Sequence, residues 1–195
     1  MDNGFYAMIS RMKYINRWAL MRNEHNENLA EHSFEVSVIA HALTVIGNKR
    51  LGKSLNSERA ALLGLYHDAP ETLTGDMPTP VKYYSSEVRS AYKTMEDAAT
   101  ATLLKMIPED LREEYENALF PDEKDAELWK YVKAADKISA LIKCMQEGQA
   151  GNSEFVLAGK STENAVKALG LPEADIFLEE FLPAYRLTLD ELKGE

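Results

Sequence analysis

The sequence contains a single cysteine, Cys144, among its 195 residues. An internal disulfide is therefore excluded, which favours a reducing compartment. The first residues, MDNGFYAMISRMK, lack the apolar core of a signal peptide. The longest apolar stretch, VSVIAHALTVIG, is too short and too interrupted to span a bilayer. We therefore expect a soluble, cytoplasmic protein that has no membrane partner.

Basic residues are also scarce. Lysine and arginine total 22 against 32 aspartates and glutamates, so the formal net charge is -10 at pH 7. Proteins bind nucleic-acid polymers by neutralising phosphates with lysine and arginine, and we expect no such partner here. A small anionic substrate is compatible with this charge if a few basic residues concentrate locally.

Strand-type alternation is absent, and apolar residues recur instead at helical spacing. One such helix runs from Glu31 to about Ile46, and another spans DAELWKYVKAADKISALIKCMQEG. Asn56 and Ser57 are suited to cap a third helix, and Pro108 suits the first turn of a fourth. We expect a short helix around Phe5, a long one over SSEVRSAYKTMEDAATATLLKM, and two shorter helices after Gly148, the last containing DIFLEEFLPAY. No repeat or linker divides the chain, so the sequence predicts one all-α domain over residues 1–195.

Two histidines and two aspartates are the strongest candidates for a metal site. His67 and Asp68 are adjacent, His32 opens a helix in LAEHSFEV, and Asp136 lies within the apolar segment VKAADKISALI. An aspartate beside a buried helix face must be paired, hydrogen-bonded or ligated. Two imidazoles and two carboxylates on three helices would suit Mn, Fe, Co, Ni or Zn. Spacing alone also permits other arrangements of these residues.

The remaining histidines fit a metal site less well. His41 follows His32 by nine residues, which places it on the opposite face of a straight helix. His25 lies in the polar segment NEHNENLAEH, where an exposed loop residue is expected. Without further imidazoles nearby, one metal ion is favoured over a two-metal centre.

An acidic pair follows the His-Asp pair. Glu71 comes directly after Pro70, which is expected to begin a fresh helical turn. Its position near the predicted ligands suits proton transfer, although acidic residues are also common in a first turn because of the helix dipole. Asp76, in TGDMPTP, is compatible with ordinary turn chemistry.

Arg17 and Trp18 form a candidate phosphate and nucleoside contact. The planar guanidinium of Arg17 matches phosphate oxygens bidentately, and Trp18 offers a flat wall for a sugar or base. The alternative is an amphipathic pair, with the tryptophan in the core and the arginine in solvent. Arg22 and Lys82 are weaker phosphate candidates, and surface solvation explains each of them.

These motifs resemble a known family. The segments AEHS, YHDAPE and KAADKISA resemble the HD-domain metal-dependent phosphohydrolases. RMKYINRWALMRN and TGDMPTPVKYY extend the likeness to the HD-domain 5′-deoxynucleotidases over most of the chain. The resemblance implies one divalent transition metal ion, such as cobalt or manganese, and a homodimer. The implied metal ligands are His32, His67, Asp68 and Asp136.

The resemblance also implies an activity, the release of the 5′-phosphate from deoxyribonucleoside 5′-monophosphates. Arg17 would hold the phosphate, and Glu71 with Asp76 would manage protons. The substrate-binding residues would be Arg17, Trp18, His32, Asp68, Asp76, Met77, Pro78, Thr79 and Asp136. Two alternatives stay open: another HD-domain nucleotide phosphohydrolase or phosphodiesterase, and a non-catalytic helical dimer stabilised by metal.

Overall fold

The computed structural model describes residues 3–120 and 122–194. These residues form α-helices joined by short 3₁₀ turns, and no strand is found among them. The helices are α1 (Phe5–Ile9), α2 (Leu29–Arg50), α3 (Ser57–Tyr66), α4 (Glu71–Thr74), α5 (Thr79–Lys82), α6 (Ser86–Lys105), α7 (Glu109–Leu119), α8 (Leu128–Gln149), α9 (Val156–Lys167), α10 (Pro172–Glu180) and α11 (Leu189–Lys193). The 3₁₀ turns are Ser10–Tyr14, Glu123–Asp125, Ser153–Phe155 and Leu182–Arg186. The predicted all-α fold is confirmed, while the span of a single domain over 1–195 stays a prediction.

The core lies where α2, α3 and α8 pack together. Val36, Leu43, Leu63 and Ile138 are fully buried there. Gly64 permits the close approach of α3 to α2, because a Cβ at this position would lie 3.0 Å from the Cα of Ser37. These three helices are the ones that carry the predicted metal ligands, so the core packing also positions the site.

A smaller apolar cluster supports the end of α3. Phe5, Ala69, Leu103, Ile107 and Leu119 are buried together, joining α1, α6 and α7 under the turn that follows α3. The turn that carries His67 and Asp68 is therefore supported by this apolar cluster.

The helix α2 packs in the protein core, although it is long and apolar enough to resemble a membrane span. Its length and a mean hydropathy of 1.2 over 18 residues would suit a membrane span, but half of that window is buried within the protein. It begins with a capping box, in which Asn28 accepts from the Glu31 backbone and the Glu31 side chain accepts from the Asn28 backbone.

Most predicted helix boundaries agree with the structure, and the C-terminal region differs. Asn56 caps α3 as predicted, whereas Pro108 is the cap residue before α7 rather than part of its first turn. Within the described residues three α-helices follow α8 instead of two, because α10 ends at Glu180 and a 3₁₀ turn containing Pro183 replaces its continuation. Proline cannot continue an α-helix, since its ring clashes with the preceding turn.

Candidate active site

The four predicted metal ligands converge from three helices. His32 lies in the first turns of α2, His67 and Asp68 follow the end of α3, and Asp136 lies in the middle of α8. The Nε2 atom of His32 is 3.2 Å from Asp136 Oδ1 and 3.6 Å from Asp68 Oδ2. The Nε2 atom of His67 is 3.1 Å from the same Asp68 oxygen. Ligand atoms of His32, His67 and Asp68 all lie within 4.8 Å of one another, a spacing that one metal ion could bridge.

Both imidazoles are held by Nδ1, the ring nitrogen that does not face Asp68 or Asp136. His67 Nδ1 donates to the carbonyl oxygen of Gly64 at 2.8 Å, and His32 Nδ1 lies 3.0 Å from the hydroxyl oxygen of Ser139. Their buried Nε2 atoms have no hydrogen-bond partner within the described residues. Buried polar atoms are usually paired, and a neutral imidazole nitrogen is a common metal ligand. The donor set therefore fits a divalent transition metal ion.

The charges of the site favour a cation. Burial, reinforced by the charge of Arg17, lowers the pKa of His32. Burial opposes ionisation of Asp136, but the neighbouring His32 outweighs it and lowers the pKa of Asp136 to about 2. Burial likewise opposes ionisation of Asp68, and the neighbouring His67 nevertheless holds its pKa well below the usual range. Two ionised carboxylates thus face the histidines.

Arg17 and Trp18 lie on the loop that precedes α2. The backbone at Trp18 is left-handed, with φ of +60°, a conformation that costs a non-glycine residue about 1–2 kcal/mol. Its indole Nε1 donates to Glu27 Oε2 at 2.8 Å, and its ring packs on Phe155 with centroids 5.3 Å apart. These contacts hold the strained turn in place.

The guanidinium of Arg17 is placed for an anion. Its side chain is 12% exposed and Nη1 lies 3.5 Å from Glu27 Oε2. Nε and Nη1 have no hydrogen-bond partner in the described part of the chain. The structure therefore does not support the alternative of a solvated arginine beside a core tryptophan.

Glu71 and Asp76 follow the His-Asp pair along the chain, and the charge of Asp68 acts on both of them. Pro70 precedes the short helix α4, so the predicted fresh turn is confirmed. Glu71 is 5% exposed, and its Oε2 has no hydrogen-bond partner among the residues described. Burial, together with Asp68 and Asp76, raises the pKa of Glu71 to about 10. Burial also raises the pKa of Asp76.

The two weaker phosphate candidates have different surroundings. Arg22 is exposed, as expected. Lys82 is half-buried, with its Nζ 2.9 Å from Glu96 Oε1 and 4.5 Å from the centre of the Tyr92 ring. The expectation of a solvated surface lysine is wrong for Lys82, because the packing of α5 on α6 buries it.

Two cavities border these groups. One, of about 150 Å³, is lined by Arg17, Trp18 and the segment 76–80, which contains the predicted Met77, Pro78 and Thr79. The other, of about 550 Å³, is lined by His67, Asp68 and Glu71, with Lys82 and Trp129 farther along its wall. His25 and His41 are exposed, and neither belongs to the cluster of ligand atoms.

The sequence reasoning missed three residues that contact the site. The Glu27 carboxylate contacts both Arg17 and Trp18. The Ser139 hydroxyl contacts Nδ1 of His32 and donates a hydrogen bond to Glu35. A signal existed for two of them, since Ser139 follows Asp136 by three residues and Glu35 follows His32 by three. On a helix such pairs share a face.

The matches to known proteins cover nearly the whole chain. A family model described as 5′-deoxynucleotidase YfbR-like matches residues 4–185. The 5′-deoxynucleotidase VV1113 of Vibrio vulnificus is 45% identical over 191 residues, which cover 98% of both chains. The 5′-deoxynucleotidase YfbR of Escherichia coli is 46% identical over 196 residues, covering 98% of this chain and 96% of that protein.

Solved structures support the same fold. An HD-domain phosphohydrolase from Listeria innocua aligns with a TM-score of 0.80 at 24% identity, covering 97% of this chain and 91% of that one. DatZ of cyanophage S-2L, an HD phosphohydrolase bound to dA and one catalytic Zn²⁺ ion, aligns with a TM-score of 0.64 at 18% identity, covering 91% and 95%. The chain has the HD-domain fold and belongs to the YfbR-like 5′-deoxynucleotidase family.

Proposed function

We propose that this enzyme removes the 5′-phosphate from deoxyribonucleoside 5′-monophosphates, using a divalent metal ion held by His32, His67, Asp68 and Asp136. The observation that carries the proposal is the pair of buried Nε2 atoms, which have no hydrogen-bond partner among the described residues and lie beside the carboxylates of Asp68 and Asp136. Such an ion, when bound, polarises a phosphate oxygen and activates a water molecule for attack on phosphorus.

Arg17 is proposed to bind the phosphate. Its unpartnered Nε and Nη1 atoms, as judged within the described residues, leave donors of the planar fork available for two oxygens. Glu27 and the turn at Trp18 fix its position before substrate arrives. A preorganised donor of this kind stabilises the charge that redistributes in the transition state.

Glu71 and Asp76 are proposed to handle protons. A carboxyl with a pKa near 10 carries its proton at neutral pH, so Glu71 can donate that proton to the leaving 5′-oxygen. Asp76 lines the same cavity as Arg17 and Trp18, and the charges of Arg17 and Asp68 both act on its carboxyl group. It is therefore suited to orient the sugar or to pass the proton onward.

The nucleoside is proposed to occupy the cavity formed by Trp18 and the segment Met77, Pro78 and Thr79. The indole supplies a flat wall, and the proline-rich segment supplies a stiff one. His32, Asp68 and Asp136 would contact the phosphate from the metal side.

Four finer features belong to the same proposal: cobalt or manganese as the metal, a single ion per site, a homodimer and a cytoplasmic location. Mixed imidazole and carboxylate ligands suit such ions. The zinc ion named in the DatZ structure supports one catalytic metal of similar type. The single buried cysteine is compatible with a reducing compartment.

The test is phosphate release from dAMP, AMP and 3′-dAMP with Co²⁺, Mn²⁺ or Zn²⁺, and with a chelator. We expect release from dAMP alone, dependent on added metal. Equal rates on all three nucleotides, or products other than phosphate and nucleoside, would indicate another HD-domain hydrolase. A protein that binds metal but releases no phosphate would instead be the helical dimer without catalysis.

A further inference from the structure

His32 is connected to a carboxylate that lies outside the proposed ligand set. Its Nδ1 atom is 3.0 Å from Ser139 Oγ, and Ser139 Oγ is 2.6 Å from Glu35 Oε2. His32 and Ser139 are completely buried. Glu35 is partly buried on α2, one turn after His32, and lines a separate cavity of about 380 Å³ together with Glu27 and Lys143.

The chemistry of the three groups fixes the direction of both hydrogen bonds. A carboxylate can only accept, so the Ser139 hydroxyl donates its proton to Glu35. The Ser139 oxygen is then left to accept, and His32 must carry its proton on Nδ1. Glu27 Oε1 also faces Nδ1, but at 3.7 Å it is beyond hydrogen-bond distance. The lone pair of Nε2 consequently points toward Asp68 and Asp136.

We propose that Ser139 and Glu35 are positioning residues that hold His32 in the Nδ1-protonated tautomer and thereby strengthen binding of the divalent metal. The inference rests on the metal site of the proposed function. Groups that orient a ligating histidine in this way change metal affinity by about 10–100-fold when they are removed. The Ser139 hydroxyl on α8 links two residues of α2, because it donates to the Glu35 carboxylate and accepts from His32.

The two residues could instead serve only to join α2 to α8. A purely structural link would change the free energy of unfolding without selecting a tautomer of His32. The tautomer is therefore the discriminating measurement, and it can be made on the metal-free protein. The chain contains four histidines, so the ring ¹⁵N spectrum is simple enough to assign.

The first experiment compares Ser139→Ala with Ser33→Ala. Ser33 is equally buried on α2, next to His32, but its hydroxyl has no hydrogen-bond partner among the described residues. Co²⁺ affinity is measured by competition with a chelator. For Ser139→Ala we expect the Kd to rise about 10–100-fold and the metal-free protein to lose the single Nδ1-protonated form of His32. Ser33→Ala should change neither.

The second experiment uses Glu35, whose partial exposure makes its variants easier to accommodate. Glu35→Ala removes the acceptor and should raise the Co²⁺ Kd roughly 10-fold, whereas Glu35→Gln retains an acceptor oxygen and should restore most of the affinity. This pair carries the test if Ser139→Ala does not fold.

An unchanged His32 tautomer together with wild-type Co²⁺ affinity in Ser139→Ala and Glu35→Ala would overturn the proposal. So would an equal loss of affinity in Ser33→Ala. A failure of the proposed function looks different, because the wild-type protein would then bind no metal or release no phosphate while its His32 tautomer stayed fixed.

Discussion

A few polar atoms that are buried without partners define the chemistry at the scale of single residues. Among the described residues they include Nε2 of His32 and His67, two nitrogens of Arg17 and Oε2 of Glu71. Such atoms cost about 1–3 kcal/mol each when nothing pairs with them. Five of the ten such side-chain atoms among the described residues belong to this one site, which indicates that a ligand completes them.

Arg17→Lys tests the geometry of the phosphate contact, because lysine keeps the charge and loses the planar fork. We expect kcat/KM for dAMP to fall at least ~10-fold, equivalent to about 1.4 kcal/mol of transition-state stabilisation. Steady-state kinetics measure the effect. Arg22→Lys is the matched control, since Arg22 is exposed on the same loop, and it should leave kcat/KM unchanged. Equal kinetics for both variants would remove Arg17 from the site.

Glu71→Gln tests the proposed proton donor. The amide keeps the shape of the side chain but cannot release a proton, so we expect kcat to fall about 10²–10⁴-fold while metal content stays normal. A glutamate that merely begins a helical turn would contribute roughly 1 kcal/mol or less to folding and leave turnover intact. Metal analysis and kcat on the one variant separate these outcomes.

The raised pKa of Glu71 also predicts a pH dependence of stability in the metal-free protein. Its ordinary value is 4.5, and the folded value is about 10. The folded protein therefore keeps a proton that the unfolded chain releases above pH 4.5, and stability falls as pH rises between these values. Glu71→Gln avoids this loss.

We accordingly expect Glu71→Gln to melt at the same temperature as wild type near pH 4.5 and higher at pH 8. A difference of ~1 kcal/mol corresponds to about 2–4 °C in a protein of this size. Glu116→Gln, on the exposed face of α7, is the control. If the difference in melting temperature between Glu71→Gln and wild type does not grow with pH, Glu71 is ionised in the folded state.

At the scale of elements, α8 anchors the loop that carries Arg17 and Trp18. Glu147 is completely buried and accepts from the backbone nitrogens of Glu24 and His25 at 2.9 and 3.1 Å. It also accepts from Asn152 at 2.8 Å and pairs with Lys143. Burial opposes ionisation, but these hydrogen bonds outweigh it and lower the pKa of Glu147 to about 2.

Glu147→Gln should weaken both the fold and the loop. We expect a loss of about 1–3 kcal/mol in the free energy of unfolding at pH 7, together with a higher KM for dAMP because Arg17 is less well placed. The stabilisation by Glu147 is present above its ordinary pKa of 4.5 and lost as pH falls toward 2. The difference from wild type should therefore shrink over that window.

Urea unfolding at several pH values measures this effect. Glu163→Gln is the control, because Glu163 forms an exposed pair with Lys167 one turn away on α9, and such pairs contribute about 0.3–0.5 kcal/mol. A Glu147→Gln difference that is constant from pH 7 to 3 would contradict an ionised, hydrogen-bonded carboxylate.

At the scale of the whole molecule, the proposed metal joins the three helices of the core. Metal at ~100 times its Kd stabilises a fold by about 2.7 kcal/mol, so a chelator should lower Tm by roughly 5–10 °C. Calorimetry with and without added Co²⁺ measures the shift. Asp68→Ala and His32→Ala should contain no metal by elemental analysis, and their Tm should not respond to Co²⁺.

Asp136→Ala tests the contribution of the third helix. It should lose metal and activity as well, because Asp136 faces His32 Nε2 at 3.2 Å. If this variant keeps its metal, its rate and its response to Co²⁺, the ion is held by α2 and α3 without α8.

Much of the fold and the candidate site could be predicted because it is encoded locally. Apolar spacing of three and four residues identified α2, α6 and α8, and Asn56 marked the start of α3. The adjacency of His67 and Asp68 and the isolation of Asp136 on an apolar face marked the cluster that the structure brings together. Residue type and short-range order suffice for these features.

The supporting contacts were decided by tertiary structure alone. His32 and Ser139 are 107 residues apart, and Glu24 and Glu147 are 123 apart. Periodicity says which face of α2 or α8 is apolar, but not which residue of one helix meets which residue of the other. That register depends on how side chains interdigitate across the whole core. The sequence by itself therefore determined the helices and the reactive residue types, and packing decided the contact of His32 with Ser139, the burial of Lys82 and the anchoring of the Arg17 loop.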